Sequence, residues 1–443
     1  MRWTVRQAAR LRCDQSANVA IVFALAALPT IGLLGLGIEH GQRTVFRNRL
    51  DAAADAAAIA AIKGASDYVA QNSGSQSGAA LTDGAIAAGT ALGAKAFATN
   101  AGKVTLTVPA VPTVRMARQG QTFTANVQYA GSYPSAFGKL FGTSTVALSG
   151  GAASSVTMGS YLDFYLLLDT SGSMGFPTSA QQQLDFARIN PDMNWGQTKN
   201  NCAFACHFPS FVGYSIAKPN KITLRIETVG NAVAQLLTTA KQNQTIPNQY
   251  RVGLFPFVSY METAADATTD LDSLQPIAAG LEAYMDIGDS SRPRGSGGTH
   301  FENLFPTINS KITRSGDGSS SLTPQPFIFL VTDGVQNDQY WSNSFGWTGS
   351  KANLLDPNLC TPLKNRGITI SVLYIPYVPI AQPYNTNVGY ENDRVNGLIP
   401  SVPDTLRSCA SPGYFRTAST SDEITAALNA MFAQATAAAR LTQ

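Results

Sequence analysis

Five oxygen-bearing side chains, carried on three separated stretches of the chain, have the types and spacing to hold a hard cation. Asp169, Ser171 and Ser173 lie in Asp-Thr-Ser-Gly-Ser, Thr299 closes the Gly-rich run Gly295–Thr299, and Asp333 lies in Thr-Asp-Gly. Two carboxylates and three hydroxyls, with no imidazole or thiolate, suit Mg²⁺, Mn²⁺ or Ca²⁺ better than zinc or copper, and Mg²⁺ best of these. The alternate spacing of Asp169, Ser171 and Ser173 lets one turn aim all three side chains at a single point. Mg²⁺ normally keeps several waters, so such a set leaves a position open to an acidic side chain of a partner. Taken alone, Asp-Thr-Ser-Gly-Ser is an ordinary turn and helix-capping sequence. The metal reading draws its weight from the ordered set of three segments, each at the end of a recognisable element.

Those elements follow from the apolar pattern. Tyr161–Leu168 (YLDFYLLL) has the length and flanks of a buried parallel strand, and it ends on Asp169. Pro326–Val331 (PFIFLV) is a second such run, ending on Thr332-Asp333-Gly334. Further strands are expected over Arg251–Val258 and Gly367–Ile375, with helices over Lys221–Gln242, Thr299–Ile312 and Glu423–Arg440. Strands alternating with helices predict an α/β fold, a doubly wound and mainly parallel sheet covered on both faces. Ligands of such sheets bind at the carboxyl ends of the strands, near the switch in strand order. Asp169 and Asp333 both fall at strand ends, and Thr299 opens a helix.

What precedes this region is of a different kind. Gln15–Ile38 contains no charged residue, and residues 18–38 are long and apolar enough to cross a bilayer as a helix. Arg2, Arg6, Arg10 and Arg12 come before the run and favour a cytoplasmic N-terminus at residues 1–17. No small-residue cleavage site follows it, so an uncleaved anchor is expected rather than a signal peptide. Residues 39–102 read as an Ala-rich helical stalk with a Gly/Ser-rich linker over 71–84. Residues 103–160 change to a two-residue period, with strands expected over Val104–Val108, Thr122–Tyr129 and Thr145–Thr157. A long helix followed by a small sheet is a pilin-like α+β outline. The α/β region then takes residues 161–443, with an insertion over 176–220.

Composition narrows the function classes. With a net charge of +3, 13% charged residues and no Lys/Arg block, nucleic acid is not an expected partner. No GxSxG, HExxH, P-loop or activated Cys/His pair is present, so an enzyme is not expected. Cys202, Cys206, Cys360 and Cys409 all lie beyond the apolar run, whereas Cys13 lies before it. Four cysteines on one side of a membrane suit disulfides in an oxidising compartment, which places the C-terminal bulk outside the cytoplasm. Four cysteines allow three pairings; the preferred one is Cys202–Cys206 with Cys360–Cys409. Zinc at Cys202, Cys206 and His207 is disfavoured because the chain has only three histidines. Trp195, Phe204, Phe208 and Phe211 in the insertion fit a contact surface or simple packing equally well.

YLLLDTSGSMG, GGTHFENLF and IFLVTDG resemble the three segments of the von Willebrand factor A (VWA) metal-ion-dependent adhesion site, or MIDAS. That resemblance implies a Rossmann-like VWA fold with Ser171, Ser173 and Thr299 as direct ligands and Asp169 and Asp333 bound mainly through water. His300 stands where that family often has Asp. The Arg-rich head, NVAIVFALAALP and NRLDAAADAAAIAA are similar to TadG-type proteins of Tad/Flp pilus assembly, as are NCAFACH and the late cysteines. This second resemblance implies a single-pass protein of a bacterial inner membrane with its C-terminal bulk in the periplasm. Its partner would be a pilus or secretion-system component that supplies an acidic side chain. The alternative is a cell-surface adhesin for an external or matrix ligand. Related minor pilins carry a Gly cleavage site with a Glu five residues on; residues 16–23 have neither, so prepilin-peptidase processing is not expected.

Overall fold

The computed structural model describes residues 15–102, 104, 106–138, 142–191, 212–284, 298–340, 350–379 and 393–441. Its contacts divide the chain into two compact units. One comprises residues 1–71 and 79–157, and the other residues 72–78 and 158–443.

In the first unit the apolar run and the Ala-rich stretch form one helix, α1 (Gln15–Asn72). Its apolar part reaches a mean hydropathy of 2.4, long and apolar enough to cross a membrane. Pro29 sits inside that part, and the next hydroxyl, Thr30 Oγ1, donates to the Ala26 carbonyl at 2.7 Å and the Ala27 carbonyl at 3.0 Å. The polar group thus stays satisfied within the helix, as an apolar solvent requires. Further along, Leu50, Ala53, Ala54, Ala57 and Ala58 recur at helical spacing and are buried with Phe97, Val127, Tyr129, Tyr133 and Leu148. The Ala-rich stretch is therefore half of a packed core rather than a free stalk. Helix α2 (Gly78–Ala101) follows, so most of the expected 71–84 linker is helical. Gly93 of α2 permits this packing: a Cβ there would meet the Ala61 Cβ at 2.9 Å and the Ala57 carbonyl at 3.0 Å.

Strands β1 (Val108–Gln119), β2 (Thr122–Pro134) and β3 (Thr145–Thr157) form an antiparallel sheet in that order. The expected strand over Val104–Val108 is corrected: the strand begins at Val108, and Val104 is buried beyond the end of α2. β1 is an edge strand, where prolines are tolerated: Pro109 falls in the irregularity between Val108 and Val111, and Pro112 lies opposite Tyr129.

The second unit is built on a six-stranded sheet. Its strands are β4 (Leu162–Asp169), β5 (Tyr250–Phe257), β6 (Ala265–Thr268), β7 (Gln325–Thr332), β10 (Thr369–Tyr374) and β11 (Phe415–Thr417). The spatial order is β11-β10-β7-β4-β5-β6, all parallel except β6 at one edge. A small antiparallel ribbon, β8 (Val335–Asn337) with β9 (Ala352–Leu354), follows β7 directly. Alternation along β4 explains the two layers. Leu162, Phe164, Leu166 and Leu168 pack with helices α3 (Arg225–Gln242) and α6 (Ser421–Leu441) on one face. Tyr165 and Leu167 pack with helices α4 (Phe301–Lys311) and α5 (Val402–Cys409) on the other. The doubly wound, mainly parallel α/β architecture is thus present, with element bounds within a few residues of those read from the sequence.

Opposite the strand carboxyl ends, Asp163 and Arg251 face each other across β4 and β5 as an ion pair of 3.0 Å, with Asp163 fully buried. Burial pushes the Asp163 carboxyl up to about 6, against the opposing pull of Arg251 and Tyr165. A raised carboxyl makes the folded state bind more protons than the unfolded chain between about pH 4 and 6. The stability it contributes is full below that window and lost as pH rises through it. Asp163→Asn removes this titration. The wild-type stability, measured relative to that variant by urea denaturation, is expected to fall by about 3 kcal/mol from pH 4 to pH 7. Parallel profiles for the two proteins contradict the assignment.

Candidate metal centre

Asp169 is the last residue of β4 and Asp333 the first after β7, and these two strands are neighbours. From β4 the chain crosses to β5 on one side and later to β7 on the other, so both carboxylates stand at the switch in strand order. Both are buried. Asp169 Oδ1 accepts the Ser171 backbone N–H at 3.0 Å, and its Oδ2 accepts the Thr332 hydroxyl at 2.6 Å. These bonds fold the turn after β4 back on itself. They bring the Ser171 and Ser173 hydroxyls within 3.1 Å of each other, on either side of Gly172. Gly334 holds the opposite loop with φ +81°, where a side chain would also collide with Leu406 and Val402 of α5 at 2.6 Å. Only glycine meets both demands.

Thr299 reaches this edge by its backbone. Its carbonyl accepts the Asn337 N–H of β8 at 2.9 Å, and the next N–H, of His300, donates to Val258 just past β5 at 3.0 Å. The segment before α4 is thus strung between the ends of two elements at the carboxyl edge, and Thr299 is buried there. Residues 295–297 lie outside the described residues. His300 is turned away into its own contacts: Nδ1 lies 2.5 Å from Glu302 Oε1 and the ring centroid 4.2 Å from that of Tyr340. Burial alone would raise Glu302, but the His300 contact and a backbone N–H hold it below the usual range.

The electrostatics of the edge are those of two buried carboxylates that feel each other's charge. Burial raises Asp169, against the hydrogen bonds from Thr332 and Ser171. Burial and then the charge of Asp169 push Asp333 up to about 7, against Arg225 and Ser173. Asp333 Oδ1 is buried with no hydrogen-bond partner, whereas Oδ2 lies 3.5 Å from Arg225 Nη1. A buried carboxylate oxygen without a partner is costly, and a hard cation is one group that relieves it. Among the described residues no three His, Cys, Asp or Glu side chains cluster, so a cation here would draw on hydroxyls as well as the two carboxylates. The donors present fit Mg²⁺ or a similar ion.

Two residues of this edge were not singled out in the sequence. Thr332 lay in plain view in Thr-Asp-Gly but carries no family signal by itself. Arg225, at the first turn of α3, is 108 residues from Asp333 and had no local signal at all. The insertion that begins at Phe176 has its two stems joined, Pro177 bridging Leu224 and the Arg225 N–H donating to the Phe176 carbonyl at 2.8 Å. Cys202, Cys206, His207, Trp195, Phe204, Phe208 and Phe211 lie outside the described residues. Cys360 and Cys409 are disulfide-bonded with Cα atoms 5.4 Å apart, tying the turn before residue 361 to the end of α5.

Comparison with known proteins gives two results. Residues 17–72 match the family model described as putative Flp pilus-assembly TadE/G-like. No curated protein matches the chain in sequence. Among solved structures, proximal thread matrix protein 1 from the mussel byssus is similar at 15% identity and TM-score 0.34, over 63% of this chain and 49% of that one. This chain thus spans about half of the mussel protein's length, and a form of that protein with a zinc-occupied MIDAS motif is also matched. BatB from Bacteroides thetaiotaomicron is similar at 12% identity and TM-score 0.34, over 62% of this chain and 98% of that one. The PilB minor pilin from Streptococcus sanguinis is similar at 11% identity and TM-score 0.35, over 75% and 80%. At these scores the fold assignment rests on the strand order and register of the chain itself.

Proposed function

We propose that this chain, with its TadE/G-like segment at residues 17–72, is a membrane-anchored envelope protein of Tad/Flp pilus assembly. In this reading it acts by binding rather than catalysis. A divalent cation, Mg²⁺ by its donor set, is held by Asp169, Ser171, Ser173, Thr299 and Asp333 and captures an acidic side chain of a protein partner. The supporting observation is the unpartnered, buried Oδ1 of Asp333 at the strand-order switch, beside the paired hydroxyls of Ser171 and Ser173. In this reading the N-terminus is cytoplasmic, the apolar part of α1 crosses a bacterial inner membrane, and the residues beyond it lie in the periplasm. The buried Cys360–Cys409 disulfide suits that oxidising side.

The test is genetic. A strain whose only copy carries Ser171→Ala with Ser173→Ala is expected to lose surface pili while keeping normal protein levels. Intact pili with lost surface attachment would instead favour an adhesin for an external ligand.

The partner surface is expected to include the aromatic pair Tyr260 and Tyr340, which are 43% and 45% exposed with ring centroids 6.0 Å apart. Tyr340 stacks on His300, next to Thr299, and accepts Asn303 Nδ2 at 2.9 Å. Exposed tyrosines fixed in this way commonly anchor interfaces. Tyr340→Ala is expected to cut surface pili by about tenfold, as loss of a mid-sized interface anchor would. Mn²⁺ affinity of the purified variant should stay unchanged. A parallel loss of Mn²⁺ binding would place Tyr340 in the support of the cation site instead.

A further inference from the structure

Arg225 is 1% exposed, a guanidinium sealed inside the α/β unit beside the candidate metal centre. Its Nη1 lies 3.5 Å from Asp333 Oδ2, and its Nη2 donates to the Pro376 carbonyl at 3.0 Å. The guanidinium carbon sits 5.5 Å from the ring centre of Phe176 and 5.6 Å from that of Tyr377. Two of these neighbours belong to the loops of the centre: Phe176 closes the turn that carries Ser171 and Ser173, and Asp333 is itself one of the five oxygen-bearing residues. A buried cation with this surrounding is fixed in place and cannot swing out to water.

Charge counting then gives it a role. With both carboxylates ionised, Asp169 and Asp333 carry two negative charges, and Arg225 cancels one of them. A divalent cation entering a pocket of net charge −1 is held less tightly than in a pocket of −2. The loaded centre is left with one positive charge, which an acidic partner side chain would neutralise. Without the guanidinium the loaded centre would already be neutral.

We propose that Arg225 is a built-in counter-cation of this centre. It keeps the two carboxylates compatible when no metal is bound, lowers affinity for the free ion, and leaves the loaded site electropositive toward an acidic partner. It is a positioning and affinity-setting residue, not a ligand. This rests on the cation-binding reading above, and the experiment separates the two.

Mn²⁺ binding to the purified full chain in detergent is titrated for the wild type, Arg225→Gln and Arg225→Lys, with circular dichroism recorded throughout. Arg225→Gln is expected to bind Mn²⁺ about tenfold or more tightly, because one buried positive charge is gone. Arg225→Lys, which keeps the charge, should stay within a few-fold of wild type. If Arg225→Gln folds only in the presence of Mn²⁺, the ion has replaced the guanidinium and the proposal stands. Equal or weaker binding by a folded Arg225→Gln, or a variant that stays unfolded at saturating Mn²⁺, overturns it. If the wild type binds no Mn²⁺ while Arg225→Gln does, the native cation reading fails and the counter-charge role survives. If neither binds, both fail.

Discussion

Replacing Asp169 and Ser171 together by alanine is expected to weaken Mg²⁺ or Mn²⁺ binding by about 100-fold or more. Loss of outer-shell partners alone costs 10–100-fold at metal sites, and this variant also removes a hydroxyl donor. The effect is large because Asp169 does two jobs. Its Oδ1 accepts the Ser171 N–H and its Oδ2 the Thr332 hydroxyl, so it sets the turn and ties that turn to the end of β7. Without it the β4 turn loses both ties, and the loss of the Ser171 hydroxyl leaves Ser173 without its neighbour. The variant should nevertheless fold, because removing one of two buried like charges relieves Asp333, whose carboxyl that charge helps push up to about 7. Isothermal titration with a parallel thermal melt checks both halves. Unchanged affinity in a folded variant would falsify cation coordination at this edge.

The second large effect concerns the Cys360–Cys409 bond. Replacing both cysteines by alanine frees a loop with a sequence separation of 49, worth about 4 kcal/mol in the chain-entropy account of cross-links. In a unit of this size that corresponds to a melting shift of about 6–7 °C. The loss should be felt beyond the bond. Cys409 ends α5, and Val402 and Leu406 of the same helix pack against Gly334, the residue after Asp333. Loosening α5 therefore loosens the loop that presents the second carboxylate, and a modest drop in Mn²⁺ affinity should accompany the lower melting point. A variant with wild-type melting behaviour would show that packing around the buried sulfurs, not the covalent tie, holds this corner.

The legibility of this chain in its sequence follows the range of the interactions involved. The runs YLDFYLLL and PFIFLV announced buried parallel strands because both faces of β4 and β7 are covered. The candidate donors followed directly, since strand ends at an order switch are fixed by topology. Signals failed where neighbours, not local pattern, decide. The 71–84 stretch looked like a linker from its Gly and Ser content, yet most of it is helix because Gly89 and Gly93 allow α2 to lie close on α1. The start of β1 was misplaced because its prolines disturb a pattern that an edge strand tolerates. Arg225 was invisible because what makes it notable is a carboxylate 108 residues away.

The unbroken course of α1 has a mechanical consequence. From residue 39 to Asn72 the helix rises roughly 50 Å at 1.5 Å per residue, with Ala53, Ala57 and neighbouring side chains locked into a core. A hinge between anchor and core would let tension be spent on straightening the chain. A continuous helix has no such slack. If the apolar part of α1 spans a bilayer as proposed, a pull along the helix axis passes directly to the sheet packed on the same helix, whose Tyr133 and Ser135 already bond Glu39 at the end of the apolar run.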